Sequence, residues 1–246
     1  MDRLEYYEAD EVVEKYAAVG RAGLRPNERV LLDEYVTDPD GRVLDLGCGS
    51  GRVTAPLAER GFDVVGVNVS ETMVQVAREL HPDVEFRVGD ATALSFPDGS
   101  FDYVLFADRG IDDVRPAASR MRAILESWRV LKPGGLFAFD ANNQLSRFVV
   151  DPTDRSAVAD TARFLARNLR AGTLRSRYAF VEYANGIDRT YAIVPPAQRR
   201  QLTDVGFELV GMVPSADDRR PTLLDPRPYY VARKPRRAAA DTGVSD

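Results

Sequence analysis

Cysteine and histidine are almost absent from this chain, and their scarcity limits the chemistry available to it. Among 246 residues there is one cysteine, Cys48, and one histidine, His81. A single thiol cannot form a disulfide within the chain or a cysteine-rich metal site, so we predict no bound metal. Cys48 lies between glycines and is interpreted as a small packing residue. His81 precedes Pro82 between a predicted helix and strand, so we predict an exposed loop residue remote from Cys48, and no histidine base.

The chain also lacks long apolar runs and an excess of basic residues. No run approaches the roughly 20 apolar residues of a membrane span, and the first residues carry no basic and apolar signal, which predicts a soluble, cytoplasmic protein without a membrane partner. A formal net charge of −5 disfavours a nucleic-acid partner, because it gives no attraction to phosphates. A composition that is 44% hydrophobic and 29% charged fits one α/β domain with a small-molecule ligand. The oligomeric state is not predicted.

The stretch from Val43 to Arg52, Val-Leu-Asp-Leu-Gly-Cys-Gly-Ser-Gly-Arg, predicts a strand, a tight loop and the start of a helix. Alternate glycines allow positive φ and leave the backbone open to a ligand, while the helix N-terminus offers unpaired N–H groups. A Walker loop is excluded, because no Gly-Lys-Ser/Thr follows. A dinucleotide fingerprint requires a third glycine where this chain has Arg52, so a nicotinamide-dependent oxidoreductase is the weaker alternative.

Strands and helices alternate from residue 42 to residue 140, which predicts a parallel sheet with helices on both faces. The predicted strands are 42–46, 62–67, 84–88, 101–107 and 136–140, separated by helices over 52–60, 71–80 and 116–131. A helix over 197–205 precedes two more strands, 207–213 and 228–233, and we expect the last to run antiparallel. Two further helices are predicted within residues 1–40. The tail 235–246 has no core residues and is predicted to be disordered.

Residues 141–195 interrupt this alternation and indicate an insertion. Residues 155–169 have helical periodicity, whereas 175–194 form two β-rich arms around Asn185-Gly186, a pair suited to a two-residue type I′ turn. The register of that turn predicts two cross-strand pairs, Glu182 with Arg189 and Phe180 with Tyr191.

Polar side chains follow the predicted strands at the edge where such sheets bind ligands. Five segments carry a recognisable pattern: Val43–Arg52, Val64–Ser70, Gly89-Asp90-Ala91, Phe96–Asp102 and Arg129–Gly135. In this order and spacing they resemble the class I S-adenosylmethionine-dependent methyltransferases, especially the branch that acts on small molecules. The resemblance covers roughly residues 40–140 and 190–233. It implies a Rossmann-like α/β sheet of seven strands in the order 3-2-1-4-5-7-6, the last antiparallel, with a helix and a β-hairpin as a lid.

With this fold the chain divides into an N-terminal helical cap (1–40), a cofactor-binding core (41–140), a substrate lid (141–195), the C-terminal part of the sheet (196–234) and the tail (235–246). The resemblance also implies S-adenosylmethionine as the cofactor, and methyl transfer to oxygen, nitrogen or carbon of a small molecule, for example in specialised metabolism. It implies that Asp45 holds the methionine ammonium and that Asp90 accepts from the adenine amino group. The implied cofactor residues are Tyr16, Asp45, Gly47, Gly49, Gly51, Asn68, Val69, Asp90, Ala91, Ala107 and Asp108.

Asn68 departs from the family pattern, which has Asp or Glu at the end of the second strand to hold both ribose hydroxyls. The amide oxygen can still accept a hydrogen bond, but it carries no charge, and charged hydrogen bonds are roughly twice as strong as neutral ones. We therefore expect weaker cofactor binding. A second hypothesis stays open: a descendant that binds S-adenosylmethionine or its product without methylating.

Methyl transfer from a sulfonium is an in-line displacement, which requires a nucleophile near the methyl carbon and exclusion of water. With His81 remote, the candidate bases lie in the loop after the fourth strand, at Asp108, Asp112 and Asp113, although acidic residues there are also typical of a helix start. We expect the acceptor to lie beneath the lid. Candidate acceptor contacts are Arg109, Asn142, Phe148, Tyr178, Phe180 and Tyr191, and further aromatic candidates are Tyr6, Tyr7 and Tyr183.

Overall fold

A central sheet of seven strands dominates the computed structural model, which describes residues 10–148, 153–173, 178–183, 186–215 and 221–236, without the side chains of 10–13, 15 and 181–189. The strands are β1 (Arg42–Leu46), β2 (Asp63–Asn68), β3 (Glu85–Val88), β4 (Phe101–Phe106), β5 (Leu131–Asp140), β6 (Tyr178–Tyr183), β7 (Gly186–Tyr191), β8 (Glu208–Val213) and β9 (Tyr229–Arg233). The order in the large sheet is β3-β2-β1-β4-β5-β9-β8. Within this sheet β9 runs antiparallel to β5 and β8 on either side of it, whereas the other described strand pairs are parallel. The predicted strand order is therefore confirmed.

The middle of the sheet is buried because helices cover both of its faces. Val43, Leu44 and Leu46 of β1 are fully buried. Side chains alternate across a strand, and accordingly Val43 joins one apolar cluster whereas Leu44 and Leu46 join the other. This packing fixes the carboxyl end of β1, where the glycine-rich turn begins.

Eight α-helices are described. They are α1 (Asp10–Gly20), α2 (Pro26–Tyr35), α3 (Thr54–Glu59), α4 (Glu71–Leu80), α5 (Gly110–Asp113), α6 (Ala117–Val130), α7 (Arg155–Arg170) and α8 (Pro195–Val205), with 3-10 turns at Gln144–Phe148 and Thr222–Leu224. Ser70 caps α4, since its hydroxyl accepts from the Met73 N–H at 3.3 Å. The sequence did not predict α5. Within the described ranges, no helix combines the length and the apolar character that crossing a membrane requires.

The two helices before the sheet lie where the sequence predicts them. The end of α1 contacts both the glycine-rich turn and α4, because a Cβ on Gly20 would lie 2.8 Å from the Leu80 side chain and 2.8 Å from the Ser50 carbonyl oxygen. Residues 1–9, which include Tyr6 and Tyr7, and residues 237–246 lie outside the described residues. The disordered tail therefore remains a prediction.

The insertion contains α7 and a separate two-stranded sheet of β6 and β7, as predicted, but the predicted register was wrong. Tyr178 lies opposite Tyr191, and Phe180 lies opposite Arg189. Tyr183 lies opposite Gly186, which already belongs to β7. In this register the Tyr178 and Tyr191 rings stack edge to face at 5.3 Å, so an aromatic cross-strand pair forms with Tyr178 in place of Phe180.

Candidate active site

A cavity of about 360 Å³ opens at the carboxyl ends of β1, β2, β3 and β4, and we call it the glycine-turn cavity. Of the predicted cofactor residues, all but Gly51 line it: Tyr16, Asp45, Gly47, Gly49, Asn68, Val69, Asp90, Ala91, Ala107 and Asp108. These residues come from five separate segments of the chain. The parallel sheet brings them together because its strand ends share one edge.

The glycines of the turn have different surroundings. Gly49 has φ +55°, and a Cβ there would meet nothing within 4 Å, so this wall of the cavity is open backbone. Gly51 has φ +89°, but its Cβ would lie 2.7 Å from the His81 ring and 2.9 Å from Phe86. Gly51 is therefore a packing glycine, which corrects its assignment to the ligand-facing backbone. His81 is half-buried against the turn, so the prediction of an exposed residue remote from it was wrong.

Asp45 is a buried carboxylate at the floor of the cavity. Its Oδ2 accepts from the Thr54 hydroxyl at 2.6 Å, whereas its buried Oδ1 has no hydrogen-bond partner among the described residues. Burial raises the pKa of Asp45 to about 7, against the opposing effects of Thr54 and Arg52. A buried carboxylate oxygen without a donor fits a cationic ligand group such as an ammonium.

Asn68 lines the cavity at the end of β2. Its Oδ1 accepts from the Ser70 N–H at 2.9 Å. An N–H donor requires an oxygen there, which fixes the orientation of the amide and turns Nδ2 away from Ser70. Nδ2 has no hydrogen bond to a described residue, so the group available at this strand end is a donor. The sequence argument that the amide oxygen serves a ligand overlooked this competition from the turn that begins α4.

The carboxyl end of β3 is more exposed to solvent than the ends of β1 and β2. Asp90 is exposed, and its Oδ1 accepts from the Thr92 N–H at 2.8 Å, leaving the other carboxylate oxygen for a ligand. Val69, 55% exposed, lines the same part of the cavity. Elsewhere in the lining, the Ser50 hydroxyl donates to the carbonyl oxygen of Tyr16 at 2.5 Å, which joins α1 to the glycine-rich turn.

A buried ion pair between α2 and the glycine-rich turn was missed by the sequence analysis. Arg52 donates to both carboxylate oxygens of Glu28, at 2.6 and 2.7 Å, and Tyr229 donates to the same carboxylate at 3.1 Å. Burial alone would raise the pKa of Glu28, but the bonds and charge of Arg52 outweigh it and keep that pKa below its usual value. Arg52 also lines the cavity, so the residue that replaces the dinucleotide glycine has a structural role there.

Asp108 is held by two arginines from distant parts of the chain. Arg25 donates to both of its oxygens, at 2.9 and 3.1 Å, and Arg227 donates at 3.3 Å. Burial would raise the pKa of Asp108, but the two guanidinium groups outweigh it and lower that pKa. A carboxylate with a lowered pKa is a poor proton acceptor, so this geometry does not favour Asp108 as the base.

The other two candidate bases, Asp112 and Asp113, are adjacent in the chain but lie in different surroundings. Asp112 is fully buried, accepts from Arg120 at 2.8 Å and from the Asn142 N–H at 2.7 Å, and does not line the glycine-turn cavity. This placement contradicts its assignment as a base, because the carboxylate is fully buried and both of its oxygens already accept hydrogen bonds. Asp113 is half-buried and does line the cavity. Its role as a base therefore stays a prediction.

A second cavity, of about 640 Å³, lies between the insertion and the end of β5, and we call it the lid cavity. It is lined by Arg109 and Asn142, which were predicted to contact an acceptor. The four aromatic candidates do not line it. Phe148 is 57% exposed, Tyr178 and Phe180 are half-buried, and Tyr191 is fully buried under the Arg120 guanidinium at 4.3 Å. Phe164, which the sequence analysis did not select, supplies the aromatic wall.

The strand order, the glycine-rich turn after β1 and the polar strand ends define the class I methyltransferase fold. Comparison with known proteins agrees: residues 43–135 match the family described as a methyltransferase domain. A SAM-dependent methyltransferase structure from Methanosarcina mazei has the same fold, with a TM-score of 0.64 and 22% identity over 87% of this chain and 99% of that one. Residues 43–135 thus match a methyltransferase domain, and the fold of the chain is that of the class I S-adenosylmethionine-dependent methyltransferases.

Two curated relatives match the core of the chain. The demethylmenaquinone methyltransferase of Renibacterium salmoninarum is 39% identical over 109 residues, 44% of this chain and 44% of that protein. The 2-methyl-6-phytyl-1,4-hydroquinone methyltransferase of Synechocystis sp. is 44% identical over 110 residues, 43% of this chain and 33% of that protein. The chain thus matches these relatives over less than half of their length.

Proposed function

We propose that this protein transfers a methyl group from S-adenosylmethionine to oxygen, nitrogen or carbon of a small-molecule acceptor. The observation that carries the proposal is Asp45 Oδ1, a buried oxygen without a donor at the floor of a cavity that the glycine-rich turn leaves open. The α-ammonium group of the methionine moiety is a donor of matching charge. When bound, the cofactor supplies an electrophilic methyl carbon, and the protein supplies orientation and exclusion of water. The two curated relatives are named for small-molecule acceptors.

The first test is calorimetric titration of the protein with S-adenosylmethionine, S-adenosylhomocysteine and, as a control, NADH. We expect micromolar-range binding of the two sulfur ligands and no heat from NADH. Binding of NADH alone would instead support the oxidoreductase alternative. If the folded protein binds none of the three ligands, the proposed cofactor is refuted.

A matched pair of glycine substitutions tests the position of the ligand. Gly49 and Gly172 both have positive φ, +55° and +67°, and a Cβ would meet nothing within 4 Å at either position. Alanine in this conformation costs about 1–2 kcal/mol, so both variants should lose similar free energy of unfolding. Only Gly49 lines the cavity. We expect Gly49→Ala to weaken S-adenosylhomocysteine binding at least about tenfold by steric exclusion, and Gly172→Ala to bind normally; equal affinities would place the ligand elsewhere.

A protein that binds the cofactor without methylating is the second candidate. It is favoured by the placement of two predicted bases, since Asp108 is held by two arginines and Asp112 is buried. An acceptor whose own nucleophile is an amine or an acidic hydroxyl requires no protein base, so these placements are compatible with methyl transfer. Transfer of label from methyl-labelled S-adenosylmethionine to any acceptor would eliminate this second candidate.

A further inference from the structure

His81 supports the glycine-rich turn without lining the cavity. A Cβ on Gly51 would lie 2.7 Å from Cδ2 of the His81 ring and 3.3 Å from Nε2, so the edge of the ring packs against the backbone of the turn. The Gly51 N–H donates to the Cys48 carbonyl oxygen at 3.0 Å, which closes the turn. Cys48, Gly49 and Ser50 line the glycine-turn cavity, whereas His81 and Gly51 do not. The ring therefore contacts the residue next to the backbone that would hold a ligand.

The two ring nitrogens of His81 have different surroundings. Nε2 is buried and makes no hydrogen bond to a described residue, whereas Nδ1 is not a buried atom of this half-buried side chain. We therefore assign the proton of the neutral ring to Nδ1, where water can accept it. A second proton would have to enter at Nε2 and form a buried N–H without an acceptor. The neutral ring fits this position better than the protonated ring does.

Burial outweighs the charges around the ring. Burial lowers the pKa of His81 below its usual value of 6.5, and the charge of Arg21, which follows α1, acts in the same direction. Glu59 of α3 opposes both effects, because its carboxylate favours the protonated ring. On α4, the Arg78 guanidinium donates to a backbone carbonyl oxygen of β3 at 2.6 Å, and in the turn the Cys48 thiol stays neutral because burial raises its pKa. The ring is thus neutral near pH 7 and takes up a proton in mildly acidic solution.

We propose that His81 is a proton switch that acts on the cofactor site through Gly51. When Nε2 gains a proton from water, its N–H lacks an acceptor among the described residues, and the ring turns outward to solvent. Gly51 then loses the ring that packs against it, and the turn opens. A ligand that requires the closed turn binds more weakly to the protonated protein. The inference rests on the proposed function, because it concerns the regulation of S-adenosylmethionine binding in that same cavity.

The titration of His81 tests the switch directly. If the neutral ring favours binding, a bound ligand must in turn lower the pKa of His81, because coupling between two binding events is reciprocal. His81 is the only histidine in the chain, so its imidazole Cε1–H signal in nuclear magnetic resonance is unambiguous. We expect this signal to titrate at lower pH in protein saturated with S-adenosylhomocysteine than in ligand-free protein. Arg199→His, at an exposed position of α8 outside the glycine-turn cavity, adds a reference histidine whose titration the ligand should not move.

Calorimetry tests the reciprocal effect on affinity. His81→Phe keeps an aromatic ring against Gly51 without a titratable nitrogen. Between pH 6.5 and pH 5, we expect the unmodified protein to lose S-adenosylhomocysteine affinity at least about threefold more than His81→Phe does. The comparison removes the effect of Asp45, which both proteins contain.

The two experiments separate the switch from the function on which it rests. A His81 titration that the ligand does not move, or an equal loss of affinity in the two proteins, would overturn the switch and leave the proposed function intact. Should His81→Phe fail to fold, the titration of His81 in the unmodified protein decides alone. If the folded, unmodified protein does not bind S-adenosylhomocysteine at pH 8, the proposed function is refuted and the switch with it.

Discussion

At the scale of single residues, Asn68 stands where the methyltransferase pattern that this sequence resembles has Asp or Glu. We expect Asn68→Asp to tighten S-adenosylhomocysteine binding by about 1 kcal/mol, roughly fivefold. One carboxylate oxygen would keep the bond from the Ser70 N–H, which now goes to Oδ1. The other oxygen would accept from the ribose, where Asn68 now offers a donor. Calorimetry on both proteins measures the change, with Asn68→Ala as the control that lacks both groups. Unchanged or weaker binding by Asn68→Asp would show that this strand end does not contact the ribose.

Asp45 predicts a pH dependence of binding. Its pKa is raised to about 7, so lowering the pH through 7 protonates the carboxylate in the free protein. Binding of an ammonium group requires the ionised form, and we expect S-adenosylhomocysteine affinity to fall roughly tenfold between pH 8 and pH 6, with release of a proton at the lower pH. Titrations in buffers of different ionisation heat measure that proton. In the Asp45→Asn variant, binding of S-adenosylhomocysteine should be weak and independent of pH. If its affinity falls with pH as steeply as that of the unmodified protein, another group titrates.

The sign of the stability effect is opposite. A folded-state pKa above the unfolded value means that the folded protein binds more protons, so the cost of the Asp45 charge is present above pH 7 and disappears as the pH falls toward the unfolded pKa. Asp45 therefore favours ligand binding at the expense of the stability of the ligand-free protein. A buried charge retained at such a cost agrees with a functional role.

At the scale of secondary-structure elements, the Glu28–Arg52 ion pair attaches α2 to the glycine-rich turn. We expect Glu28→Gln to lower the free energy of unfolding by about 3–5 kcal/mol, because it leaves the buried Arg52 charge without its partner. Asp33 in the same helix pairs with Arg60, but both side chains are largely exposed, so Asp33→Asn should cost less than about 1 kcal/mol. Urea denaturation measures both variants. Similar losses in the two would mean that the buried pair does not hold α2 in place.

Local patterns predicted most elements, because they depend on residues close together in the chain. The bounds of β1 and α4 agree with the prediction, since apolar alternation and the Ser70 cap define them. The predicted hairpin register was wrong because the turn rule for Asn185-Gly186 puts Gly186 in the turn, whereas Gly186 pairs with Tyr183 and Tyr178 lies opposite Tyr191. The Arg25–Asp108 pair joins residues 83 positions apart, and neither residue carries a local signal of that contact. Long-range ion pairs therefore set the surroundings of Asp108 and Asp112, and local sequence patterns do not predict such pairs.

At the scale of the whole molecule, a buried polar cluster connects the insertion to the core. Arg120 of α6 donates to Asp112 of α5 at 2.8 Å and to Gln198 of α8 at 2.7 Å, and lies over the Tyr191 ring of β7. Asn142, at the lid cavity, donates to the same aspartate. The sequence predicted the lid and the sheet but not this connection, because its members lie in five separate segments. The Arg120 guanidinium group thus joins α5, beside the glycine-turn cavity, to β7 and α8.

We expect Arg120→Met to loosen the lid more than the sheet. The substitution leaves the fully buried Asp112 without its cation, which costs about 3–5 kcal/mol in a typical buried pair. Backbone amides of β7 and α8 should therefore lose more hydrogen-exchange protection than those of β1 and β2, because only the former contact Arg120. Arg129→Met, in the same helix but in partly exposed ion pairs with Asp98 and Glu126, is the matched control and should leave β7 and α8 protected. An equal loss of protection in β1 and in β7 after Arg120→Met would contradict a specific attachment, since it would indicate that the cluster stabilises the whole molecule uniformly.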